Sequence, residues 1–229
     1  MKTARSAALA IALVCAATVA AQGVKLESNE QKFSYAVGIQ LGDNLKSQGI
    51  SKLDVDAVAE GIRDYLEGND LKLSAEEIQQ AVAAYQKQMM EEQLALATSN
   101  REASESFLEE NGKREGVVVL ESGVQYEIVE KGTGDNPTET DIVVVHYRGY
   151  LLDGSEFDSS FSRGVPTELE VGKVIPGWQQ TLQLMKVGAK WKVWIPSDLA
   201  YGLKGAGDRI GPNEMLHFDI ELLKIKEDG

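Results

Sequence analysis

The sequence predicts an α+β protein: a C-terminal antiparallel β-sheet wrapped on one short helix, preceded by an all-α module and a long stalk helix. Three observations carry this. From Leu26 to Asn111 there is no proline, and apolar residues recur at helical spacing. From Gly116 to Lys226, Gly and Pro become frequent and β-branched runs appear. The last of those runs, Leu216 to Ile225, alternates cleanly, with Leu216, Phe218, Ile220 and Leu222 on one face.

The elements follow in order. Lys2 and Arg5 precede an almost unbroken apolar run from Ala7 to Ala21. The run is short for the ~20 residues a membrane helix needs, and small residues close it, so residues 1–21 read as a secretory signal peptide cleaved after Ala21, with Ala20 as the alternative cut and an N-terminal membrane anchor as the alternative reading. Phe33, Val37, Leu41 and Leu45 mark a first helix, which Gly49 ends. Val55, Val58, Ile62 and Tyr65/Leu66 mark a second, stopped by Gly68-Asn69. Residues 22–73 thus form an N-terminal helical domain. Ser74-Ala75-Glu76-Glu77 matches a capping box and opens a long helix over 74–111. Its first half carries an apolar stripe of Ile78, Val82, Tyr85 and Met89; its second half is mostly polar and reads as a solvated stalk. Two short amphipathic helices and a half-polar long one cannot bury these faces alone. Pairing with a second copy of the chain is the simplest resolution, with Ile78, Val82 and Met89 at the contact; the plainer alternative is a monomer in which these helices fold back on the C-terminal domain.

The domain at 116–226 offers strands at 117–120, 124–129, 142–150, 169–171, 190–196 and 216–225, and one short helix from Gly177 to Met185. Asp153-Gly154 marks a turn.

Composition narrows the function. The 229 residues hold 36 Asp+Glu against 23 Lys+Arg, a net charge of −13. That balance argues against nucleic acid or an anionic membrane surface as the main partner. A lone Cys15 leaves with the leader, so no disulfide or cysteine zinc site is available, and His146 and His217 are too few for metal or triad chemistry. A cysteine-free mature chain suits an oxidising compartment. No metal, no cofactor and no integral span of the mature chain is expected.

Five blocks stand in order: Val144-Val145-His146-Tyr147-Arg148-Gly149, Gly154-Ser155-Glu156-Phe157-Asp158-Ser159-Ser160, Val174-Ile175-Pro176-Gly177-Trp178, Ala200-Tyr201-Gly202 and Phe218-Asp219-Ile220-Glu221-Leu222. Together they strongly resemble the FKBP-type peptidyl-prolyl cis-trans isomerases, over essentially all of 116–226. The helical part, through Tyr35-Ala36-Val37-Gly38-Ile39-Gln40-Leu41-Gly42, resembles the dimerisation module of the Mip-like bacterial members. The resemblance implies a prolyl pocket with Tyr147, Phe157, Asp158, Trp178, Tyr201 and Phe218 at the chemistry, and Val174, Ile175, Arg163 and Ile210 binding substrate around it. Trp178 would be its floor, and Asp158 its rim, paired with Arg163 and orienting Tyr147.

The implied partners are proline-containing polypeptides, with macrolide inhibitors as further ligands and a homodimer as the assembly. The implied location is the periplasm, the outer membrane or the medium. Each residue also has a plainer reading, since Phe157, Val174 and Phe218 would serve equally as core, and Asp158 with Arg163 as a surface pair. His146 alternates with Tyr147 and reads as structural. Thr167, Leu169 and Ala206 stand where many members carry aromatics. A second functional reading is a holdase chaperone in which isomerisation is incidental.

Overall fold

The computed structural model describes residues 24–50 and 52–226. The expected leader at 1–21 lies outside the described residues. The chain forms two units, one ending at Ser74 and one beginning at Ala75.

The first unit holds α1 (Asn29–Ser47) and α2 (Val55–Glu67). Both start on well-made caps. The Ser28 hydroxyl accepts from the Gln31 amide while the Gln31 side chain accepts from the Ser28 amide, and Asp54 accepts from the Ala57 amide. Gly68 ends α2 in the left-handed conformation at φ 70°. Along these two helices the only buried residue is a polar one, Asp64, which accepts from Lys72 Nζ at 2.8 Å. The apolar stripes expected from the sequence are present but open to solvent, with Phe33 71%, Tyr65 78% and Leu66 78% exposed.

The second unit begins with α3 (Ala75–Asn111), 37 residues long. Ile78, Val82 and Met90 of its first half are exposed and Met89 is half-buried. The second half is solvated over most of its surface, as expected, but one stripe is not. Ala97, Ser104 and Asn111, seven residues apart, are buried against the sheet domain. Hydrogen bonds hold them there: Asn111 Nδ2 donates to Gln125 Oε1, and Gln125 Nε2 returns to the Leu108 carbonyl, both at 2.8 Å.

Seven antiparallel strands follow: β1 (Val117–Val119), β2 (Gln125–Lys131), β3 (Ile142–Tyr150), β4 (Glu156–Ser159), β5 (Thr167–Glu170), β6 (Ala189–Ile195) and β7 (Leu216–Ile225). They run β1-β2-β6-β7-β3-β4 across the sheet, with β5 also paired to β3. The helix expected after Val174 is α5 (Pro176–Leu184), and a four-residue helix α4 (Ser160–Arg163) follows β4. Neither β4 nor α4 was expected, and the strand placed at 169–171 runs from Thr167 to Glu170. The alternation of β7 is as the sequence predicts: Leu216, Phe218, Ile220 and Leu222 are buried, and with Val143, Val145, Val193 and Ile195 they pack on Trp178 and Leu182 of α5. Gly177 lets α5 press on Ile195, where a Cβ would collide with that side chain.

Candidate active site

Between α5 and the inner face of the sheet lies a cleft of about 300 Å³. β3 contributes Tyr147, β4 contributes Phe157 and Asp158, and β7 contributes Phe218. Val174 and Ile175 enter from the turn before α5, Trp178 from its first turn, and Tyr201 from the loop after β6.

The aromatic rings brace one another. Trp178, only 4% exposed, meets Tyr147 edge-on at 5.2 Å and Phe218 edge-on at 5.1 Å. Phe157 meets Phe218 in the same manner at 5.6 Å. Edge-to-face pairs are the favoured arrangement for ring quadrupoles, so the cup is held open by its own walls. Gly149 of β3 makes this possible: a Cβ there would lie 2.5 Å from Phe157 Cζ and 2.9 Å from Phe218 Cε1.

One corner is polar. The Tyr147 hydroxyl donates to Asp158 Oδ2, and Arg163 Nη1 donates to Asp158 Oδ1. Arg163 Nη2 donates to the Tyr147 oxygen at 3.0 Å and to Thr167 Oγ1 at 3.1 Å. Burial pushes the Tyr147 phenol up from its ordinary pKa, and its bond to Asp158 adds to that. Burial would also raise Asp158, but hydrogen bonds from Tyr147 and Arg163 outweigh it and hold the carboxyl below its usual range. The corner is therefore a neutral phenol, a carboxylate and a guanidinium whose charges cancel.

The turn into α5 is fixed by Gln179, whose Nε2 donates to the Val174 carbonyl at 2.7 Å. The Ile175 carbonyl accepts the first helical bonds from Trp178 and Gln179. No described residue accepts from the Ile175 N–H or bonds the Tyr201 hydroxyl, and Tyr201 is 41% exposed. Both donors remain available to a ligand in the cleft.

Of the residues expected at the pocket, eight line this cleft, and Arg163 stands behind Asp158. Ile210 does not: it belongs to the buried core at 8% exposure, bridged to Ala206. Leu169 and Lys173 line the cleft without having been expected there. Leu169 had a signal, its inward place on β5, whereas Lys173 had none beyond adjacency to Val174. His146 points away, its Nδ1 on Ser160 Oγ at 2.9 Å and its ring stacked on Phe161.

Residues 134–223 match the family described as FKBP-type peptidyl-prolyl cis-trans isomerase, and residues 30–128 match the domain amino-terminal to that isomerase. An outer membrane protein MIP of Legionella longbeachae is 39% identical, the match covering 99% of this chain and 98% of that one. The chain belongs to the FKBP-type peptidyl-prolyl cis-trans isomerases. Another relative of this isomerase, the FKBP-type 22 kDa peptidyl-prolyl cis-trans isomerase of Escherichia coli, is 42% identical over 86% of this chain and 95% of its own. Among solved structures, FkpA from Escherichia coli aligns with a TM-score of 0.64 at 37% identity, covering 88% of the isomerase and 99% of that chain. Among the described residues, no helix of the isomerase is long and apolar enough to cross a membrane.

Proposed function

We propose that the X–Pro bond turns in the cleft above Trp178, through the residues just described. The observation that carries this is the braced aromatic cup with an internally neutralised polar corner. Rotation about the amide faces a barrier of about 18–20 kcal/mol because it destroys resonance, yet no covalent bond forms or breaks. A dry cup that holds the proline ring and suits the twisted amide better than the planar one is what this reaction needs. Trp178 supports the ring, with Tyr147, Phe157 and Phe218 as walls. The Ile175 N–H and the Tyr201 hydroxyl hold the carbonyls on either side of the bond. Asp158 and Arg163 keep the Tyr147 ring in place rather than exchange protons with substrate.

The same reading places the protein outside the cytoplasm as a homodimer. The basic, apolar start of the chain supports export, as does the name outer membrane protein carried by the Legionella longbeachae relative. The open stripes of α1 and α2 and the exposed Ile78 and Val82 of α3 support a second copy as their cover. A protease-free prolyl-peptide assay on residues 22–229 is expected to show catalysed isomerisation, and light scattering on the same protein twice the chain mass. No acceleration would overturn the site, and a monomer at micromolar concentration the assembly.

A further inference from the structure

The loop from Gly202 to Met215 joins the cleft to β7. It is glycine-rich, and Gly202, Gly205 and Gly207 all take positive φ. Tyr201 stands at its start. Such a backbone has little stiffness of its own with which to set a neighbouring side chain.

Its far end is pinned to α3. Asn100 Nδ2 donates to the Pro212 carbonyl at 2.9 Å, Asn213 Nδ2 donates to the Ala97 carbonyl at 3.2 Å, and the Met215 amide donates to Ser104 Oγ at 3.2 Å. These bonds are shielded, with Ala97 2%, Ser104 6% and Asn213 6% exposed. Asn213 is also the one non-glycine residue with positive φ among the described residues, at 55°. A side chain held in that region is costly and persists where its surroundings over-determine it. Here they do so from both sides. The Asn213 side chain grips α3, and its backbone amide donates to the Gly202 carbonyl at 2.9 Å.

We propose that Asn213 is a positioning residue for the isomerase reaction, relaying the hold of α3 on the loop to Gly202 and so setting the Tyr201 hydroxyl in the cleft. The inference rests on the reading above that this hydroxyl holds a substrate carbonyl. It makes the second half of α3 a working part of the catalytic unit rather than a spacer.

The test is a double-mutant cycle on the full mature chain, read as kcat/KM on a short prolyl peptide. Asn213→Gly accepts the positive φ and keeps the backbone bond to Gly202, but loses the tie to Ala97. It is expected to lower kcat/KM about fivefold, the worth of one hydrogen bond. In a Tyr201→Phe background, itself impaired, the same substitution is expected to lower kcat/KM no further. Losses that multiply across the two sites would overturn the proposal, since a general loosening of the fold acts whether or not the hydroxyl is there. A full-activity Asn213→Gly beside an impaired Tyr201→Phe would also overturn it while leaving the site reading intact. A full-activity Tyr201→Phe would overturn both. Should Asn213→Gly not fold, Asn100→Ala removes the neighbouring tie from the helix side, and the same cycle with Tyr201→Phe decides by the same criteria.

Discussion

Adding a single methyl group at Gly149 is expected to damage the cleft from behind. In Gly149→Ala the new Cβ would sit 2.5 Å from Phe157 Cζ, 2.8 Å from Phe157 Cε2 and 2.9 Å from Phe218 Cε1. Carbon atoms pack at about 3.5–4.0 Å, so the Phe157 ring must retreat by about 1 Å. Phe218 is wedged against Trp178 and yields less, so Phe157 moves, and the space beside it is the cleft. Overpacking of this kind costs about 1–3 kcal/mol. For a unit of this size that lowers the melting midpoint by roughly 3–10 °C. The loss of activity is larger, because about 1 Å of misplacement at a binding wall can cost ~100-fold in rate. The assay is kcat/KM on a prolyl peptide beside a thermal melt of the same preparation. A lowered midpoint with kcat/KM within a factor of two of wild type would refute the reasoning, for it would mean that the rings rearrange without entering the cleft.

Other substitutions and conditions separate the roles of the remaining residues. Because Asp158 is held below its ordinary range near 3.9, its contribution is complete above that value and is lost only as pH falls through the lower folded value. The kcat/KM profile is therefore expected to be flat from about pH 5 to pH 8, and a step near pH 6.5 would point to a histidine instead. Asp158→Asn removes the ion pair at every pH; since both partners are over 40% exposed, the expected loss in kcat/KM is modest, about two- to fivefold. Trp178→Leu takes the floor from the cup and is expected to cut kcat/KM by about 100-fold. Suppression of aggregation of an unfolded client should be unchanged in that variant, and joint loss of both activities would show one surface doing both jobs.

Much of this architecture was legible in the chain because it rests on periodicity. The strand from Leu216 to Ile225 shows its buried face in its own alternation, and the first two helices show their apolar stripes, open to solvent within one chain, in three- and four-residue spacing. β4 was not legible as a strand: Glu156-Phe157-Asp158-Ser159 is short and polar at three of its four positions, and its pairing with β3 is visible only in three dimensions. The second half of α3 misled for a related reason. Ala97, Ser104 and Asn111 are small or polar, and they are buried by hydrogen bonds to segments distant in sequence, which hydrophobic patterning does not register. The cleft was legible residue by residue through resemblance, but its mechanics were not. That Tyr147 and Arg163, 16 positions apart, converge on Asp158, or that Gln179 fastens the turn before Trp178, follows from the fold alone. Ile210 shares the buried cluster of Tyr147, Trp178 and Phe218 without lining the cleft, a distinction that its position in the chain near Tyr201 does not reveal.

The first unit carries a different kind of consequence. With α1 burying none of its residues and α2 only Asp64, the unit has little apolar free energy with which to offset the entropy of ordering its backbone. In the proposed dimer the missing term is supplied by another molecule, so its folding obeys mass action. Dilution then acts on α1 and α2 as a denaturant does, while the cup around Trp178, closed within one chain, is indifferent to it. Two parts of one polypeptide would thus differ in whether stability is a property of the molecule or of the solution it is in.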